Sequence, residues 1–128
     1  MAYTLKPVRN EYRSGKNILA SEHVQFIEVG ATLDATKFPE GVIPIGTLIV
    51  RNTTTGKFEP YVETTPGEFP AGYDEPAVLN IDVQNNGTDD IIVGEVIIRG
   101  SVYEGKLPQA PTDAFRAKTP MIRFIKDI

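Results

Sequence analysis

One histidine, His23, must serve any reaction in this chain that needs an imidazole. Nucleophilic catalysis by a hydroxyl needs a base within hydrogen-bond reach, and the serines available to it are Ser14, Ser21 and Ser101. None of them sits in a Gly-Xaa-Ser-Xaa-Gly elbow, so His23 reads as a surface or capping residue rather than a base. Asp89 and Asp90 are adjacent, and neighbours on a strand point to opposite faces, which does not build a carboxylate pair for acid–base work. Asp82, Asp89 and Asp90 around an Asn-Gly turn offer oxygen ligands to calcium, but their spacing matches no EF-hand loop. No glycine-rich run opens a helix as a phosphate cradle does. Asn52-Thr53-Thr54 and Asn86-Gly87-Thr88 fit a glycosylation pattern, but without a signal peptide they are better read as turn residues. The chemistry-bearing residues therefore predict no enzyme, no metal site and no cofactor.

The charges are distributed unevenly. Residues 58–98 carry nine acids and no lysine or arginine, within a net charge of −4. The first sixteen residues carry Lys6, Arg9, Arg13 and Lys16 against Glu11 alone. An acidic body repels phosphate, which argues against direct nucleic-acid binding, while a basic arm suits an acidic partner. No apolar run is long enough to span a bilayer, and residues 1–16 lack the apolar stretch of a secretory signal, so the expectation is cytoplasmic synthesis and no membrane partner. With no cysteine, stability must come from packing or assembly.

The elements that would position any site are mostly strands. Residues 1–22 follow neither a strand nor a helix period and read as an extended amino-terminal arm, with one β-rich domain over 23–128. Residues 24–29 form a first strand candidate and 31–41 a loop anchored by Phe38. Residues 47–51 and 57–62 read as a hairpin about the 52–56 turn, with Pro60 at an edge or bulge because it cannot donate a ladder hydrogen bond. Residues 64–76 hold Pro66, Pro70 and Pro76 and read as a long ordered loop anchored by Phe69 and Tyr73. Residues 77–83, 91–93 and 95–103 follow as strands, with Asn85-Asn86-Gly87 as a type I′ turn signal. Pro111, Asp113 and Lys118 outline the one helix, stopped by Pro120, and residues 121–126 close as a strand. The fold class expected is mainly β, a small α+β domain with a compact barrel- or sandwich-like body and one short carboxy-terminal helix.

The order of these pieces carries a resemblance. A Gly-Thr-Leu strand at 46–48 precedes a Thr-Gly-Lys-Phe-Glu-Pro-Tyr hairpin at 55–61. An Ala-Val-Leu strand at 77–79 then precedes Val-Ile-Ile-Arg-Gly-Ser-Val at 96–102 and a Glu-Gly-Lys-Leu-Pro exit at 104–108. This arrangement resembles the head decoration proteins of tailed bacteriophages, the lambda decoration-protein family. The likeness covers 43–108 and extends more loosely to 109–128. It implies a structural virion protein on the outer surface of the expanded capsid, a homotrimer at three-fold sites, with the major capsid protein as partner. It also implies an amino-terminal arm that docks by adding a strand to a capsid-protein edge. Carried onto this sequence, the docking arm holds Tyr3, Leu5, Arg9, Tyr12, Val24, Phe26 and Val29, and Phe38, Phe69 and Tyr73 make trimer or body contacts. The arm here is longer and more basic than the family pattern, and residues 24–29 serve either as the docking strand or as the first strand of the body. An alternative of another class is a head-fibre or tail-appendage module in which Tyr61, Phe69 and Tyr73 stack on carbohydrate or host surface.

Overall fold

A computed structural model describes residues 17–126. The strands are β1 (Gln25–Phe26), β2 (Ala31–Leu33), β3 (Gly41–Ile43), β4 (Leu48–Asn52), β5 (Phe58–Pro60), β6 (Tyr73–Leu79), β7 (Val83–Asn85), β8 (Ile91–Val93), β9 (Val96–Tyr103) and β10 (Ile122–Ile125). A 3-10 turn at Glu104–Lys106 and one helix, α1 (Asp113–Lys118), complete the order. The main sheet runs β1-β9-β6-β4-β5-β2-β8 and curls into a half-barrel, and β3 and β7 form a separate pair. The protein is mainly β, as the β-branched runs predict.

The apolar runs are continuous because both faces of the sheet are covered. Side chains alternate across a strand, so Leu48 and Val50 of β4, Val78 of β6 and Ile97 of β9 enter one core, which Phe115 of α1, Leu107 and Ile122 close. Their neighbours Ile49, Ala77, Leu79 and Val96 enter a second core inside the curl, with Leu33, Phe38, Phe58 and Val83. Thr112 caps α1 by accepting the Phe115 N–H at 3.2 Å, and Thr119 Oγ1 donates to the Phe115 carbonyl at 3.0 Å.

β9 is the hub. Val96 and Ile97 pair antiparallel with β6, whereas residues 100–103 pair in parallel with β10. Along its other edge, residues 18–27 run antiparallel to the whole strand. The Ile27 N–H donates to the Val96 carbonyl (2.8 Å), the Ala20 N–H to Ser101 (2.9 Å), and the Tyr103 N–H back to Ile18 (2.8 Å). Gly100, at φ +152, lets this segment come close: a Cβ there would lie 3.3 Å from Val24 Cγ2 and 3.4 Å from the His23 carbonyl oxygen.

Several sequence expectations are corrected. Residues 31–41, read as loop, contain β2 and begin β3. The long loop over 64–76 ends early, since residues 73–76 are the start of β6, bulged where Glu75 takes φ +50 and the register to β4 shifts. The strand read over 77–83 is cut in two by residues 80–82, because β6 joins the main sheet and β7 pairs with β3. Asn85-Asn86-Gly87 does not close a hairpin: β7 pairs with β3 and β8 with β2. Asn85 is buried, and its Nδ2 donates to the carbonyls of Ala35, Phe38 and Pro39 at 3.0–3.2 Å, tying down the 35–39 loop.

Candidate docking surfaces

The first surface is the edge that residues 17–26 occupy. Ile18 is fully buried in the first core, and Leu19, Val24 and Phe26 pack against it. The body therefore includes residues 17–22, which the sequence reading assigned to the arm. Of the docking residues expected from sequence, Tyr3, Leu5, Arg9 and Tyr12 lie outside the described residues. Val24 and Phe26 are engaged within the chain, with Phe26 opposite Ile97 on β9, so the strand expected over residues 24–29 is the body's first strand but is confined to Gln25–Phe26. Val29 is wholly exposed.

The second surface is a cleft of about 380 Å³ lined by Phe69, Tyr73, Glu75, Ile98, Lys118 and Met121 among others. It forms where β6 parts from β9, because β9 turns from β6 to β10 as its partner. Phe69 and Tyr73 meet here half-buried, with Lys118 Nζ 5.7 Å from the Phe69 ring centre. Tyr73 donates to Glu59 Oε1 at 2.7 Å, a bond that, with burial, raises its phenol above the usual range. Phe38 does not join them; it is buried in the second core. Tyr61 is also buried, edge-on to Phe115 at 4.8 Å, and so presents no face for stacking on a sugar.

Three carboxylates, two of them in ion pairs, fix the loops around these surfaces. Arg51 forks onto Asp74 with bonds of 2.8 and 2.7 Å and holds that carboxyl below its usual range. Asp90 accepts from Lys57 at 2.7 Å and from the Ala35 N–H at 3.0 Å, with the same effect. Glu63 accepts from Thr112, Tyr61 and the Gly67 N–H, which lowers its carboxyl, while burial and the bond to Glu63 push the Tyr61 phenol up to about 12. Glu63 thereby joins the 61–67 loop to the start of α1.

The acids considered for calcium go to separate partners. Asp82 accepts the Ile45 N–H at 2.7 Å, Asp89 accepts from Asn86 at 2.9 Å, and Asp90 holds Lys57. Among the described residues no three candidate metal ligands gather. Ser21 Oγ accepts the backbone N–H of His23 at 3.1 Å, a local turn contact. No helix among the described residues is long and apolar enough to cross a membrane.

A third surface was not foreseen. β8 ends the main sheet, paired with β2 on one side only. Ile92 at its centre is 75% exposed, and a Cβ on Gly30 would sit 3.5 Å from Ile92 Cγ2. The signal was present in Ile91-Ile92-Val93, but an unbroken aliphatic run is read as a buried strand.

Comparison with known proteins yields no match from protein-family models, curated proteins or solved structures.

Proposed function

We propose that this chain is a structural virion protein that binds the outer surface of an expanded phage capsid, as a trimer at three-fold sites, and stabilises the head. One observation carries the reading. The segments whose order resembles the decoration proteins fall on β4, β5, β6 and β9, which are consecutive neighbours in the sheet. The likeness thus concerns one contiguous half of the body rather than scattered turns.

The arrangement of the amino terminus supports the same reading. Ile18 pairs with Tyr103 on the edge of β9, and the basic residues Lys6, Arg9, Arg13 and Lys16 precede it in the sequence. Strand addition uses backbone N–H and C=O groups and makes few demands on side chains, so such a segment is suited to a capsid-protein edge. Fixing each residue costs about 1–2 kcal/mol, which a symmetric trimer offsets by multiplying weak contacts.

The test is a deletion of residues 1–16. It is expected to leave the circular dichroism spectrum and unfolding midpoint of the body unchanged and to abolish binding to expanded heads. Retained binding by the folded truncation would refute docking through the arm.

A further inference from the structure

We propose that the free edge of β8 is an acceptor for an extended strand of another protein, one that alternates apolar residues and ends in lysine or arginine. The inference goes beyond the shell reading: there the chain's own arm is the donated strand, whereas here the body receives one.

Sheet edges in folded proteins are commonly blunted by lysine, proline, a bulge or a covering loop. β8 carries no lysine, proline or bulge in its own residues, Ile91-Ile92-Val93, and its three-residue length confines the pairing it offers to these positions. Its inner side pairs with β2 in regular antiparallel register, Ala31 to Val93 and Leu33 to Ile91. Among the described residues no backbone group bonds to its outer side. That side faces an open groove of about 670 Å³, lined by Gln84, Asn85 and Asn86 together with residues 89–92. Among the described residues the edge therefore offers unpaired backbone groups beside the exposed side chain of Ile92.

Charge selects the occupant. Asp89 lines the groove just before β8, and Glu40 lies about 3.7 Å from a Cβ placed on Gly87, which follows the groove residue Asn86. Lys57, which reaches the groove through Asp90, is already paired with that carboxylate. Two copies meeting through β8 would set these acids against each other, which disfavours self-pairing. Nucleic acid is repelled for the same reason. A strand that carries lysine or arginine at its ends is matched by Asp89, which lines the groove at the start of β8.

The probe is a fluorescein-labelled peptide, Lys-Thr-Val-Thr-Val-Thr-Lys with blocked ends, titrated into the full chain and read by anisotropy. The expected result is saturable one-to-one binding, weakened at least tenfold by Ile92→Asp and several-fold by raising the salt. Backbone N-methylation at alternate amides is the decisive control. The peptide methylated along one edge is expected to lose binding, and its isomer methylated along the other to keep it, because only one edge of an added strand faces β8.

Equal binding of the two methylated isomers would overturn the proposal, as would no saturation up to about 1 mM, the weak end of specific affinity. Slow exchange, before peptide is added, at the β8 amides that point away from β2 would assign the edge to a segment of this chain and overturn it. Self-association that Ile92→Asp dissolves would assign the edge to a second copy, with the same consequence.

Discussion

Replacing Ile18 with alanine tests where the body begins. Ile18 is fully buried among Leu107, Phe115, Ile122 and Val102, and its carbonyl accepts the Tyr103 N–H at 2.8 Å. The substitution removes three carbons, about 2.4 kcal/mol at roughly 0.8 kcal/mol each. A residual cavity of about 60 Å³ adds about 1.5 kcal/mol at roughly 24 cal/mol per Å³. The total, about 4 kcal/mol, falls inside the usual range of about 2–5 kcal/mol for such changes. At an m-value of about 1.5 kcal/mol/M, the urea midpoint falls by about 2.5 M. Urea titration followed by far-UV circular dichroism reads this directly. Ile18→Val, which keeps most of the volume, is expected to cost only about 1 kcal/mol. An Ile18→Ala midpoint within about 0.3 M of the parent, or roughly 0.5 kcal/mol, would refute the placement of residues 17–22 in the body.

Asn85→Ala removes the donor to three loop carbonyls and is expected to cost about 1–3 kcal/mol, with faster amide exchange over residues 35–40. Gly46→Ala is expected to cost about 1–3 kcal/mol in thermal unfolding, since Gly46 has φ +93 and an added Cβ would lie 2.9 Å from Pro108 Cδ. Glu63→Gln is expected to flatten the acid limb of the stability profile. The Glu63 carboxyl is lowered in the fold from its ordinary 4.5, so its contribution is complete above that pH and is lost as pH falls through the lower folded value. The parent and variant curves, separated at neutral pH, should converge below 4.5; a constant gap down to the acid transition would contradict this.

The legible parts of the fold were those where local chemistry and tertiary position agree. β4, β5, β8 and β10 follow from β-branched runs and turn residues, and α1 from Asp113, Lys118 and Pro120. β2 and β3 were not legible because three residues carry no period, and they exist through partners distant in sequence, β8 and β7. Residues 73–76 join β6 despite Pro76 and the positive φ of Glu75, because Asp74 and Tyr73 find register with Arg51 and Asn52 on β4. Asn85-Asn86-Gly87 misled as a hairpin signal because the burial of Asn85 serves the 35–39 loop instead. Phe38 was legible as a core anchor, and Tyr61 was not, since Pro60 suggested an exposed edge while Phe115 buries the ring. The free edge at β8 was illegible in principle: its aliphatic residues look like core until the strand order shows that, among the described residues, no strand pairs beyond Ile92.

The measurement closest to the central claim is co-sedimentation of the full chain with procapsids and with expanded, undecorated heads of the phage that encodes it. The proposal predicts saturable binding to expanded heads alone, at a stoichiometry of three copies per three-fold site. Binding to neither shell, or equal binding to both, would contradict it.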